Sequence, residues 1–313
     1  MEGKYKNFYL YPQTMYMHKA GFINILGKPN AGKSTLLNAL LGEKLAIITH
    51  KAQTTRHRIM GFYNDEGHQL VFSDTPGIIE PAYKLQERMM KGVEESMEDA
   101  DIYLLVLDAT DRRHWEDKLP WLENVEQRLQ QPGLPLLVFV NKAEDMDAEQ
   151  RQAKEQICRE RFPLAHILFG SAVQKQGLEV LLDTLKAICP EHAPYFDKEE
   201  ITDRPVRFFV AEFIREKLLL HYKKEVPYHC AVAIIEYKEA DDIDRIRAEI
   251  YVGRDSQKAI LIGHKGSRLK TVGTEARLDM EAFLGKKVYL ELQVKVKKDW
   301  RDSDASLRWL GYD

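Results

Sequence analysis

The segment "GFINILGKPNAGKSTLLNALLG" (21–42) limits what this chain can fold into more than any other stretch. An apolar run ends at Gly27 and a helix-period run opens at Lys33, so the backbone must turn from strand to helix within a few residues. The turn itself, "GKPNAGKS" (27–34), fits the pattern Gly-x-x-x-x-Gly-Lys-Ser. Gly27 and Gly32 let backbone N–H groups close around phosphate oxygens, and the helix behind them adds the positive end of its dipole. Lys33 is placed to reach the outer phosphates and Ser34 to set its hydroxyl on Mg²⁺. Lys28, Pro29, Asn30, Ala31 and Thr35 complete the cradle. Such a loop needs a buried strand before it and a helix after it, which commits this part of the chain to an α/β architecture.

The rest of the first half keeps that rhythm. Strands are expected at 58–64, 68–74, 101–109, 135–141 and 166–172, with helices at 33–41, 84–98, 114–130, 148–161 and 177–189. Strand and helix in alternation predict a P-loop domain with a mainly parallel sheet. The stretch "CPEHAPYFDKEEITDRP" (189–205) breaks the pattern with three prolines and many charges, as an inter-domain linker does. Beyond it the order reads α-β-β-α-α-β with a short helical tail. The expected division is a flexible leader or mis-assigned start over 1–16, a nucleotide domain over 17–190, a linker over 191–205 and an α+β domain over 206–313. The leader lacks the long apolar run and small-residue cleavage site of a secretory signal. Cys158, Cys189 and Cys230 lie far apart, fit no metal spacing and read as reduced thiols. No apolar run approaches the roughly 18 residues of a membrane span.

Four further segments follow the phosphate loop in the order a nucleotide site requires. "KAQTTRHR" (51–58) offers Thr54 or Thr55 to a metal when a γ-phosphate is present, the behaviour of a switch loop. "DTPG" (74–77) follows a strand: Asp74 is expected to hold Mg²⁺ through water and Gly77 to touch the γ-phosphate, with Thr75 and Pro76 between them. "NKAE" (141–144) supplies Asn141, Lys142, Ala143 and Glu144 for the base, and "SAV" (171–173) supplies Ser171, Ala172 and Val173. A carboxylate at the fourth position of "NKAE" accepts two hydrogen bonds from guanine but is stranded by adenine, so the set points to guanine. Glu144 presents that carboxylate on one more methylene than Asp. Asp145 could serve only after a register shift that misplaces Lys142. The Ala172 N–H is expected to meet guanine O6. Ile78 stands where a water-orienting glutamine sits in many small GTPases, so hydrolysis should be slow. Arg56 and Arg58 read as surface or RNA-facing charges rather than as an arginine finger.

In the second domain "GHKG" (263–266: Gly263, His264, Lys265, Gly266) joins two helices. Within an α-β-β-α-α-β order this is the arrangement of a type II KH domain, whose loop clamps the backbone of about four nucleotides. The net charge is −3, so an RNA site must be a local patch. Arg254, Lys258, Lys265, Arg268 and Lys270 provide one against the single acid Asp255.

From Met17 to the C-terminus, "GKPNAGKSTLLNALLG", "KAQTTRHRIMG", "DTPG", "ITDRPVRFFVAEFIREK", "GHKGSRLKTVG" and the closing "LRWLGY" resemble the Era family of GTPases. The resemblance implies GTP and GDP as ligands, Mg²⁺ as cofactor, and a K⁺ held by Asn30 beside the phosphates. It also implies catalytic roles for Asn30, Lys33, Thr54, Thr55, Asp74 and Gly77. The expected partners are the 3′ region of 16S rRNA and the 30S subunit, whose assembly such a protein assists. A cytoplasmic monomer that associates peripherally with the inner membrane completes the expectation. Two rival readings remain: a nucleotide-gated RNA scaffold with negligible turnover, resting on Ile78, and an ATPase, resting on Glu144.

Overall fold

A computed structural model describes residues 18–111, Trp115, Leu129 and 133–312. The expected leader therefore lies outside the described residues, as does the expected helix over 114–130 apart from Trp115 and Leu129.

The first domain comprises β1 (Lys19–Leu26), α1 (Lys33–Leu41), β2 (Ile59–Asn64), β3 (His68–Asp74), α2 (Lys84–Glu98), β4 (Ile102–Asp108), β5 (Leu136–Asn141), α3 (Ala148–Arg161), β6 (His166–Phe169) and α4 (Leu178–Ile188). The strands form one sheet in the order β2-β3-β1-β4-β5-β6. Every pairing is parallel except β2 with β3. Helices cover both faces, which is why β4 and β5 are buried along their whole length and read as continuous apolar runs. On one face Ile23, Ile25, Leu104 and Phe139 meet Leu36 and Leu40 of α1 and Leu181 and Leu185 of α4. On the other, Leu105, Leu107, Val138 and Val140 meet Val93 and Met97 of α2 and Cys158 of α3. The phosphate loop, "DTPG" and "NKAE" all leave the carboxyl ends of β1, β3 and β5, so they converge at one edge of the sheet.

The second domain runs α5 (Val206–His221), β7 (Ala231–Lys238), β8 (Ile243–Val252), α6 (Asp255–Ile262), α7 (Ser267–Leu284), β9 (Lys287–Val296) and α8 (Asp304–Trp309). Its sheet has the order β7-β8-β9, with β7–β8 antiparallel and β8–β9 parallel. Phe209, Phe213 and Leu218 of α5 pack with Leu261, Val272, Ala276 and Met280 against Ile246, Ile250 and Val294 of the sheet. The three thiols are free and buried, and burial pushes Cys158 and Cys230 up to about 12.

The segment expected to be a plain linker is fastened to the first domain. Phe62 N–H donates to the Ile201 carbonyl at 2.9 Å, Thr202 Oγ1 donates to the Met60 carbonyl at 2.7 Å, and Phe196 stacks on Phe62 at 4.2 Å. It thus covers edge strand β2, whose unpaired backbone groups would otherwise face water. The two domains also share buried surface. Leu45, from the loop after α1, belongs to the core of the second domain, and Leu85 and Met89 of α2 pack with Tyr251, Trp300, Leu307 and Tyr312.

Candidate functional site: a nucleotide cleft joined to an RNA-type loop

The phosphate loop is held open by its own geometry. Gly32 has φ 95° and lies so close to Asn141 that a Cβ there would come within 2.2 Å of its Nδ2. A Cβ on Gly77 would meet the Pro29 nitrogen at 2.6 Å, so "DTPG" lies directly against the loop. Lys33 is buried, and its ammonium donates to the Gly27 and Lys28 carbonyls at 2.9 Å each. Burial lowers its pKa to about 8, while the Asp74 carboxylate pulls it back up. Around these groups lies a cleft of about 410 Å³, lined by Pro29, Asn30, Gly32, Lys33, Ser34, Thr35, Thr54, Thr55, Gly77 and Lys142, with residues of the 47–53 loop closing it.

The metal-ligand candidates separate here. Ser34 Oγ donates to Asp74 Oδ2 at 2.7 Å and lies 2.9 Å from Thr55 Oγ1, which itself reaches Asp74 at 3.4 Å. Asp74 Oδ1 is buried with no partner, and burial raises the carboxyl's pKa. Two hydroxyls and an unsatisfied carboxylate oxygen are the hard donors that Mg²⁺ takes, so these residues fit the ion. Thr54 is not among them: its hydroxyl donates to the Lys51 carbonyl and pairs with Thr49, both at 2.7 Å. Both threonines line the cleft, and Thr55 is the one whose hydroxyl joins Ser34 and Asp74.

At the base end, Asn141 Nδ2 donates to the Ala31 carbonyl at 2.9 Å, and Lys142 Nζ reaches Asn30 O at 2.8 Å and Asp108 at 2.6 Å. The base loop is thereby bolted to the phosphate loop. Ala143 is buried, whereas Val173 is 77% exposed. The Ala172 N–H, expected to meet guanine O6, donates to Asn141 Oδ1 at 2.9 Å in this structure. Ser171 Oγ accepts from the Gln174 N–H at 3.1 Å and shapes the turn. Glu144 Oε2 is buried and has no hydrogen-bond partner, while Asp145 is exposed. Thr75 donates to the Ile25 carbonyl at 2.9 Å and ties strand ends together, and Pro76 carries the chain from there to Gly77. Ile78 is buried in the cluster that holds Leu26, Val93 and Met97.

Of the two switch-loop arginines expected to be surface or RNA-facing charges, Arg56 is buried and Arg58 is partly exposed. Arg56 is buried and donates to the Cys230 and Tyr228 carbonyls at 2.7 and 3.1 Å. Arg58 forms a two-pronged pair with Asp99 and donates to Ser73. A guanidinium enclosed by carbonyls or a carboxylate is a structural clasp.

In the second domain the loop Gly263–Gly266 has φ 70° at Gly263, 48° at Lys265 and 78° at Gly266. A Cβ on Gly266 would meet nothing within 4 Å, so the loop presents open backbone. His264 and Lys265 are exposed. Beside the loop, a cleft of about 350 Å³ runs between α7 and β9, lined by Gly266, Leu269, Lys270, Gly273, Thr274, Arg277, Leu290 and Leu292.

The comparisons bear on both sites. Residues 22–142 match a family of 50S ribosome-binding GTPases, and residues 225–301 match the KH domain family. The GTPase Era of Syntrophus aciditrophicus (strain SB) is 45% identical over 95% of this chain and 96% of its own. That of Alkaliphilus oremlandii (strain OhILAs) is 40% identical over 94% of this chain and 99% of its own. This chain belongs to the Era family of GTPases. A crystal structure of Era in complex with MgGDPNP and nucleotides 1506–1542 of 16S ribosomal RNA superposes with a TM-score of 0.87 at 39% identity, over 94% of this chain and 99% of that one. Aquifex aeolicus Era, solved as a variant bound to GDP and AlF₄⁻, gives the same TM-score at 40% identity and the same coverage.

Within this Era-family chain the expected RNA residues divide. Gly266 and Lys270 line the α7–β9 cleft, Gly263, His264 and Lys265 precede Gly266 in the loop, and Arg268 lines a groove that includes Lys223 and Thr271. Arg254 and Lys258 lie at the start of α6, outside the cleft. Leu269, Gly273, Thr274, Arg277, Leu290 and Leu292 were not foreseen. Counting three, four, seven and eleven residues on from Gly266 would have found 269, 270, 273 and 277, which share one helix face.

Proposed function

We propose that the chain is a GTP-hydrolysing, RNA-binding factor of the cytoplasm that engages the 3′ region of 16S rRNA and assists assembly of the 30S subunit. Lys33 and the loop N–H groups bind the β- and γ-phosphates. Ser34, Thr55 and Asp74 would hold Mg²⁺, Asp74 through water, and the ion would supply positive charge to offset that of the phosphates. Asn30, whose Nδ2 is engaged with the His50 carbonyl at 3.2 Å, keeps its amide oxygen for a K⁺ beside the phosphates. Gly77 fixes "DTPG" against Pro29. The observation that carries the guanine reading is the buried, unpartnered Oε2 of Glu144. Such an atom stays costly until guanine N–H donors satisfy it, and adenine cannot. RNA binding through the loop at 263–266 is supported by the relative solved with 16S rRNA nucleotides.

Competition by GDP, ADP and XDP against a fluorescent GDP analogue tests the base. GDP should win by about two orders of magnitude or more, and Glu144→Ala but not Asp145→Ala should erase the preference. Equal competition by ADP would remove the guanine reading. Burial of Ile78 favours a second reading, a nucleotide-gated scaffold with negligible turnover. Multiple-turnover phosphate release with and without RNA separates the two.

A further inference from the structure

At the edge of the first sheet opposite the nucleotide cleft, the chain entering β5 and the turn between α3 and β6 enclose a groove of about 320 Å³. That volume is at the lower end of the range of ligand clefts. Leu129, Leu136 and Phe162 are buried in its lining, while Leu134, Pro163 and Leu164 are exposed along it, Leu164 by 82%. No Asp, Glu, Lys or Arg is among the described lining residues. Such a lining does not suit a phosphate, and an apolar patch of this kind marks a surface that another segment covers.

Residues 1–17, outside the described residues, carry the apolar run "FYLYP" (8–12). This run precedes every segment that bears the family resemblance, and neither site uses it. It enters the fold at the same edge as the groove. β1 is joined through β4 to β5 and then to β6 by parallel pairing, so its first residue and the groove share the amino ends of the strands. His18 is fixed there, its carbonyl accepting from the His192 N–H at 3.1 Å. From β1, β5 and β6 lie about 10 and 14 Å away across the sheet. Asn24 pairs with Tyr103 and Tyr103 with Leu136, so Lys19 lies about five residues, or about 17 Å, before the level of Leu136. The two offsets combine to roughly 20–22 Å. Roughly eight extended residues, from His18 back to Leu10, reach about 26 Å. The tether also makes docking intramolecular. At an effective concentration in the millimolar range, a contact that a free peptide would make with a Kd of about 0.1 mM is about 90% occupied.

We propose that residues 8–12 dock in this groove, so that the chain's own N-terminal segment covers the apolar face remote from the nucleotide. In extended backbone Phe8 and Leu10 point to one side and enter the groove, while Tyr9 and Tyr11 keep their hydroxyls toward water. The test uses the full chain with Asn7→Cys carrying a nitroxide; the native thiols are free and buried, so the label attaches at position 7. The methyl NMR signals of Leu134 and Leu164 should lose most of their intensity, while Val173, at the nucleotide edge, keeps its own. Phe8→Ser with Leu10→Ser should restore both signals. Leu164→Glu changes a side chain that is 82% exposed and should speed amide exchange of residues 8–11 about tenfold. Signal loss no greater than in the serine variant would overturn the proposal, as would unchanged exchange in Leu164→Glu. Loss seen only when a labelled chain is mixed with an unlabelled, isotope-enriched one would make a second copy the occupant and overturn it too.

Discussion

The ammonium of Lys33 sits where burial works against its own charge, and this gives the nucleotide site a measurable pH dependence. Its pKa of about 8 means that the protonated form is lost as pH rises through that value. Phosphates bind the protonated form, so binding draws a proton onto Lys33 and weakens above about pH 8. GDP affinity should fall about tenfold per pH unit beyond that point. Calorimetry in two buffers of different ionisation enthalpy should show proton uptake near pH 8. A flat affinity up to about pH 9.5 would mean that another group meets the phosphates. Lys33→Ala should abolish nucleotide binding and leave binding of free RNA intact. At this scale the sequence could name residue types in order but could not choose between neighbours. Thr54 and Thr55 are chemically the same, and only the fold brings the Thr55 hydroxyl to Ser34 and Asp74. Thr55→Ala should therefore lower affinity for GDPNP more than for GDP, while Thr54→Ala, which loses a bond within its own loop, affects both alike.

Among the elements, the loop between α1 and β2 carries the connection between the two sites. Its nucleotide end is Thr55. Its other contacts fall on α5, the chain after it and α7: Lys44 pairs with Glu216 and with Asp279 of α7 at 2.9 Å, Lys51 donates to the Leu219 and Tyr222 carbonyls, and Arg56 reaches Tyr228 and Cys230. Removing the Arg56 guanidinium leaves two carbonyls unpaired, at a cost of about 1–3 kcal/mol each where they are buried. Arg56→Met should free the loop, reduce the preference for GDPNP over GDP several-fold and leave GDP affinity unchanged. An unchanged preference in a competition titration would show that this anchoring has no part in sensing the nucleotide. The strands and helices of both domains were legible because burial on two faces leaves continuous apolar runs and burial on one face leaves a helical period. The anchoring was not. Lys51 and Arg56 end on backbone carbonyls, which leave no mark in the sequence, and Leu45 looks like any apolar residue of a loop although it belongs to the other domain's core. The strap over β2 was hidden for the same reason, since prolines and charges read as exposed chain whether or not a sheet edge lies beneath.

At the scale of the whole molecule, His57 is a titratable residue packed into the junction between the domains. His57 stacks on Tyr312 at 4.4 Å and meets the edge of Phe208 at 5.4 Å. Tyr312 is held in turn by Arg88, which donates to its carbonyl at 2.7 Å, so the C-terminus, the switch loop and α2 close on a single point. Burial lowers the His57 pKa to about 4; Glu212 opposes that shift, while Arg215, Arg204 and Arg56 reinforce it. An unfolded chain binds the proton at its ordinary value near 6.5 and the folded one only near 4. Between those values the unfolded state therefore holds more protons, and stability falls as pH falls, by about 1.4 kcal/mol per unit well inside the window. His57→Phe keeps an aromatic ring against Tyr312 and removes the titration. Its melting temperature should drop less between pH 7 and pH 5 than that of the parent, while Tyr312→Ala, which opens the ring to water, should move the His57 titration back toward 6.5 by NMR. Equal acid sensitivity of parent and His57→Phe would place the labile charge elsewhere. A smaller drop, with the two domains still melting together at pH 7, would locate an acid-labile point of the protein at the junction between its domains.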